Sequence, residues 1–294
     1  MDNFFPTIAS QALLLRKSSK KQATQKNNLG SLFYLKERIH LKLDHVVEVL
    51  LESLKNDQYI EAVFLRGSMA REEHDEFSDI DIYCVVNEEN VEAFLPNRVQ
   101  HIEAYKKTCF VDDIYIIAPQ LLVVYEDMIH IDLFTVTLSE ISEKDAIKIL
   151  FDPNGILTAK QKNTTLSLTP LEFQDAVDDT VWYLYQYYWS AQRGNEIWSV
   201  HLLRNSLEHF AKVLLHKYCP ERALLGLKTL PNSLPTDPLH EIVDIMNFLS
   251  LVTHEMAVKK LVNAFSNESD WIFENVPNKE KIKPLWEKIK VLLQ

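Results

Sequence analysis

Apolar residues recur at spacings of three and four through Leu35, Ile39, Leu43, Val46, Val47, Leu50 and Leu54. That period predicts one long amphipathic helix over Leu32–Leu54, broken by Asn56-Asp57-Gln58. The pattern then shortens. Ala62–Leu65 is a compact apolar run, and Ile80, Ile82, Val85 and Val86 mark another, so both read as strands. Val91–Leu95 reads as a short helix or loop, Pro96-Asn97 as a turn, and Gln100–Ala104 and Val111–Ile117 as strands. Leu121–Tyr125 and Met128–Val136 predict a hairpin around Glu126-Asp127. Its second arm alternates, which sets His130, Asp132 and Phe134 on one face. Ser139–Leu150 reads as a helix, Asp152-Pro153-Asn154-Gly155 as a turn, and Thr158–Ser167 as a polar link.

After Thr169-Pro170 the chain changes to long helices rich in aromatic residues. Thr169 has the chemistry of an N-cap, Pro170 suits the first turn and Glu172 completes a capping box, so a helix is expected to about Gln192. Glu172, Asp175 and Asp179 share a face of it, with Asp178 alongside. A second helix is expected over Glu196–Tyr218, with Leu202, Leu203, Phe210, Val213 and Leu214 inward. Leu230–Pro238 reads as a proline-rich loop, and further helices are expected at Leu239–Leu251, His254–Phe265 and Lys279–Leu293. The expected fold class is α+β. An N-terminal extension spans 1–30, a domain with a mixed β-sheet flanked by helices spans 31–157, and an all-α helical bundle spans 158–294.

Composition narrows the function more than the fold. The net charge of −11 argues against broad nucleic-acid binding, which rests on basic surface, and leaves a cationic small molecule as a substrate compatible with it. The basic stretch Arg16, Lys17, Lys20, Lys21 and Lys26 is confined to the expected extension and reads as a solvated arm. Cys84, Cys109 and Cys219 are odd in number and lack metal spacing, which fits a reducing compartment. No apolar run approaches a membrane span and no signal-peptide pattern stands at the N-terminus, so a cytoplasmic protein with no membrane partner is expected.

The chemistry concentrates in Val63–Val86. A short strand runs into a Gly-Ser turn, then a polar loop, then a strand that opens with Asp79 and Asp81. Two residues apart on a strand, these carboxylates project from one face. They repel each other and lose hydration unless a cation sits between them, and oxygen donors of this kind suit Mg²⁺. Gly67 has no side chain to block close approach, and Ser68 offers an N–H and a hydroxyl to a phosphate.

Gly67-Ser68, a ten-residue spacer, then Asp79-Ile80-Asp81 resembles the signature of the DNA polymerase β-like nucleotidyltransferase superfamily, in its antibiotic-modifying branch. Ser190–Glu196, followed by a helix carrying Leu207-Glu208-His209, is similar to the helix pair of lincosamide-type members. The resemblance makes 31–157 the nucleotidyltransferase domain and the helical half the acceptor-binding domain. It implies transfer of a nucleoside monophosphate, AMP from ATP or another nucleoside triphosphate, to a hydroxyl of an aminoglycoside or lincosamide. It also implies two Mg²⁺ ions held by Asp79, Asp81 and Asp132, the last on a strand about fifty residues after the first pair. Gly67, Ser68 and Arg71 become candidates for the triphosphate, with Arg193 reaching it from the helical half. For the base that takes the hydroxyl proton, a kanamycin-type enzyme has an acid where this sequence has Gln186, so Asp179 is the candidate here. The expected partners are the acceptor and the nucleotide, with the protein a monomer or homodimer. The alternative is a regulator on the same fold, adenylylating proteins or acting in a toxin–antitoxin pair. Arg204 and His209 have the spacing of such ribonucleases, but five residues turn a helix by about 140° beyond a full circle.

Overall fold

The computed structural model describes residues 42–142, 144–160 and 166–294. The expected extension over 1–30 and the beginning of the helix expected from Leu32 lie outside the described residues. The chain divides into two compact units, one ending at Thr164 and the other running from Thr165 to Gln294. Among the described residues no helix is long and apolar enough to cross a membrane.

In the first unit, residues 42–54 are helical (α1) and lead into β1, Ile60–Leu65. The short turn of helix α2, Gly67–Ala70, then gives way to β2, Ile80–Val86. After α3 (Val91–Phe94) and α4 (Arg98–Glu103) come β3 (Thr108–Tyr115), β4 (Pro119–Tyr125), β5 (His130–Val136) and β6 (Lys148–Phe151). The six strands make one mixed sheet in the order β3-β4-β5-β2-β1-β6. β2 and β5 pair in parallel, and the other ladders are antiparallel.

Alternation divides the central strands between two apolar layers. Ile80, Ile82, Cys84, Val86, Ile131 and Leu133 point to the layer shared with Leu43, Val46, Val47, Leu50 and Leu54 of α1. The helical period of α1 thus matches the period-two face of the sheet. On the opposite face, Phe64, Tyr83 and Phe134 stack ring on ring across β1, β2 and β5, with centroids 4.9 and 4.3 Å apart. The ladders pair Phe64 with Tyr83 and Tyr83 with Phe134, so the stack follows from register.

Two expectations in this unit are corrected. Gln100–Ala104, read as a strand, belongs to helix α4. Its buried side chains are Arg98, His101 and Ile102, a helical spacing of three and four. Two of them are polar, so an apolar count overlooks them. Arg98 binds Asp113 at 2.7 Å, and His101 bonds Asp57 at 3.0 Å. Ser139–Leu150, read as a helix, has no helix among its described residues, which are turn, bend and irregular chain up to β6, the strand that pairs with β1. Asp145 in that stretch has φ +71°, which no α-helix contains, and edge pairing with β1 outweighs local propensity.

The second unit is helical throughout its regular structure, which makes the whole chain an α+β protein. α5 covers Pro170–Gln192 and opens on the capping box of Thr169 and Glu172. α6 covers Glu196–Tyr218, with Leu202, Leu203, Phe210, Val213 and Leu214 buried. The stretch read as a proline-rich loop holds α7, Leu230–Ser233, and the next helix, α8, spans Thr236–Asn247. α9 runs His254–Asn275, ten residues beyond the expected end, and α10 spans Lys279–Leu293. The extra turns of α9 bury Ile272 and Phe273 around Glu268. That acid is bonded by Lys217 at 2.6 Å and Tyr218 at 2.8 Å, so its burial leaves no bare charge.

Leu50 is fully buried between α1 and the sheet. Leu50→Ala is expected to lower unfolding free energy by about 2–5 kcal/mol, read by urea denaturation. A loss well below that range would mean α1 does not anchor this layer.

Candidate active site

Parallel pairing sets Asp81 of β2 beside Asp132 of β5, in a register that also pairs Ile80 with Ile131. Two residues before Asp81 and Asp132 stand Asp79 and His130. Period two then sends Asp79, Asp81, His130 and Asp132 to one face, at the end of the aromatic stack. Nε2 of His130 is 3.2 Å from Oδ1 of Asp132. The ligand atoms of Asp79, His130 and Asp132 all lie within 4.8 Å of one another.

This face is short of positive charge. Oδ1 of Asp132 is buried and accepts no hydrogen bond. Burial pushes the Asp81 carboxyl up to about 6, helped by the charges of Asp79, Asp132 and Asp145 and opposed by His130. Asp81 leans over the turn after β1. A Cβ on Gly67 would stand 2.2 Å from its Oδ2, and Gly67 has φ +64°, so glycine is required there on both counts. The N–H of Arg66 donates to the carbonyl of Asp81 at 3.0 Å and fixes turn to strand. Ser68 lies in the first turn of α2, where a helix leaves its own N–H groups unbonded. The donor set is thus carboxylate-rich, crowded, partly buried and incompletely bonded, beside a glycine that holds the approach open. It fits a divalent cation with phosphate oxygens.

Arg71 sits nearby but is engaged. One Nη donates to both oxygens of Asp145, at 2.6 and 2.8 Å, and Nε donates to Glu73 at 3.1 Å. Burial alone would pull its pKa down, and these two acids reverse the direction.

Asp179 and Arg193 belong to the second unit and are not among the residues that β2 and β5 gather. Oδ2 of Asp179 is 3.5 Å from Nδ1 of His209, whose ring stacks on Tyr183 at 5.6 Å. Burial holds the His209 pKa below its usual value against the pull of Asp179. Arg193 caps the C-terminus of α5 and is exposed. Asp178 is buried and held by Gln174 and Lys281, a structural arrangement.

Sequence reasoning missed His130 and Asp145 as members of the site. For His130 a signal existed, since His130-Ile131-Asp132 repeats the spacing of Asp79-Ile80-Asp81. For Asp145 there was none, because its stretch has the pattern of a helix.

A carboxyl with a raised folded-state pKa favours the fold while protonated. Its contribution is full below the unfolded pKa of about 4 and is lost as pH rises through about 6. In EDTA, Asp81→Asn is expected to match wild type below about pH 4. At about pH 8 it should be the more stable protein, by roughly 1–3 kcal/mol. Equal differences at both pH values in urea melts would refute the crowding of Asp81.

The family model for streptomycin adenylyltransferase matches residues 42–213. Among solved structures, an aminoglycoside 6-adenyltransferase from Bacillus subtilis shares 16% identity, covering 83% of this chain and 97% of its own, with a TM-score of 0.34. No curated protein sequence matches the chain. The family match takes in more than half of the 294 residues, from α1 to α6, and with them Gly67, Asp79, Asp81 and Asp132: the chain belongs to the streptomycin adenylyltransferase family and is a nucleotidyltransferase.

Proposed function

We propose that the protein transfers AMP from ATP to a hydroxyl of an aminoglycoside of the streptomycin type. The observation that carries this reading is the crowded carboxylate face of β2 and β5, opened by Gly67, in a member of an adenylyltransferase family. The formal charge of −11 suits a cationic acceptor.

Asp79 and Asp81 would hold two Mg²⁺ ions, and Asp132 the one on the side of the attacking hydroxyl. When bound, the ions supply charge neutralisation at the α-phosphate and the departing pyrophosphate. Gly67 and Ser68 receive the β- and γ-phosphates through N–H groups of the first turn of α2 and the Ser68 hydroxyl. The acceptor oxygen forms its bond to the α-phosphorus as the bond to the bridging oxygen breaks, and pyrophosphate leaves with that electron pair. The hydroxyl proton goes to a carboxylate. Asp132 is the candidate on the sheet and Asp179 the candidate in the second unit, where His209 stands beside it. Arg71 can take a phosphate only by giving up Asp145 or Glu73. Among the described residues Arg193 has no such pair in its exposed position at the end of α5, and it is the second unit's proposed cation for the triphosphate.

The test is pyrophosphate release from ATP and Mg²⁺ against a panel of aminoglycosides and lincosamides. Release is expected with a streptomycin-type compound, and Asp132→Asn is expected to lower it by about 10²-fold or more. Release with no compound, while ATP still binds, would remove the antibiotic from this reading. Transfer of labelled AMP to a protein instead would establish the regulator.

A further inference from the structure

We propose that His130 is itself a ligand of the cation held by Asp79 and Asp132, and that this nitrogen donor shifts the site from Mg²⁺ towards a first-row transition dication such as Mn²⁺. The inference rests on the reading that the carboxylate face holds a metal, and it adds a ligand that the aspartate triad lacks.

Three observations carry it. First, β5 repeats the spacing of β2, with His130 two residues before Asp132 as Asp79 is two before Asp81. The parallel register therefore sets an imidazole where the third corner of a four-membered set would stand. Second, the compact group of donor atoms on this face is Asp79, His130 and Asp132. Asp81 is drawn aside over Gly67. Third, Nε2 of His130 is 3.2 Å from Oδ1 of Asp132, and that oxygen nonetheless accepts no hydrogen bond. Two ligands at right angles on an octahedral ion with bonds of about 2.1 Å stand about 3 Å apart. The separation is therefore that of neighbours on one ion, without the alignment of a donor and its acceptor.

The chemical consequence follows from donor type. Mg²⁺ favours oxygen ligands and sheds water reluctantly, whereas imidazole nitrogen suits transition dications. Substituting one nitrogen for one oxygen lowers the advantage of Mg²⁺ over Mn²⁺ at the same carboxylates. The side chain of His130 is 41% exposed and that of Asp132 is 14% exposed, so the histidine stands at the open side of the set.

Electron paramagnetic resonance of Mn²⁺ bound to the EDTA-stripped protein tests this, alone and with α,β-methylene-ATP. Wild type is expected to show spin-echo modulation from a directly bound ¹⁴N, absent in His130→Gln. Competition between Mn²⁺ and Mg²⁺ should show the preference for Mn²⁺ falling about tenfold in the same variant, with melting curves confirming that it folds. Tight Mn²⁺ binding without nitrogen modulation, or an unchanged preference in His130→Gln, would overturn the proposal while leaving the carboxylate site intact. Asp132→Asn separates the two levels. Loss of Mn²⁺ binding in that variant supports the site, and a wild type that binds no Mn²⁺ under either condition would overturn the metal reading and the ligand together.

Discussion

The parallel pairing of β2 with β5 is the constraint on which the rest of the first unit turns. One register decides both what is buried and what is exposed to chemistry. It sets Tyr83 against Phe134 in the aromatic stack and Asp81 against Asp132 two residues earlier. A slip of one residue would send every one of these side chains to the other face. The apolar layer under α1 resists such a slip, because Ile80, Ile82, Ile131 and Leu133 would have to leave it. Core packing on one side of the sheet therefore holds a charge-crowded arrangement on the other. The carboxylates do not assemble themselves, since their mutual repulsion opposes the geometry they occupy.

Comparison with the other buried acids makes the point sharper. Asp57 is bonded by His101 and Asn97, Asp178 by Gln174 and Lys281, and Glu268 by Lys217 and Tyr218. Each is a burial made tolerable by a partner. Asp81 and Asp132 lie on a face where, among the described residues, neighbouring acids outnumber cations. Elsewhere the chain sets a cation or donor beside a buried carboxylate; on this face it sets acid beside acid. That contrast separates the site from ordinary buried polarity without appeal to its position in a cleft.

Much of this was readable in advance, and the limits were physical. The Gly-Ser turn, the paired acids and Asp132 on an internal strand each follow from local spacing, and α5 and α6 from caps and period. The structure brings Asp79, Asp81 and Asp132 to one face beside the Gly67 turn. α4 was misread because its buried face is Arg98, His101 and Ile102, and only the fold shows that Asp113 and Asp57 await the first two. The stretch before β6 was misread because its strand exists only by pairing with β1. His130 was seen to share a face with Asp132 but lacked meaning until the parallel register set Asp79 nearby. Asp145 was invisible, since its backbone at φ +71° and its hold on Arg71 are tertiary facts.

Arg71 shows how the structure changes the electrostatic argument. From sequence it is a cation four residues after Gly67, available to a phosphate. In the fold it is bracketed by Asp145 and Glu73, so the cluster it belongs to carries net negative charge. Asp145 in turn adds to the field that raises Asp81. Arg71 therefore cannot neutralise the β2–β5 face. His130 opposes the raised pKa of Asp81, and its effect is outweighed by burial and the surrounding acids. Among the described residues no other cation compensates Asp79, Asp81 and Asp132, and on the proposed reading a bound cation would supply that charge. On that reading the nucleotide would bring negative charge into a region already rich in it, which would make cation and triphosphate binding mutually dependent: each would lower the electrostatic cost of the other.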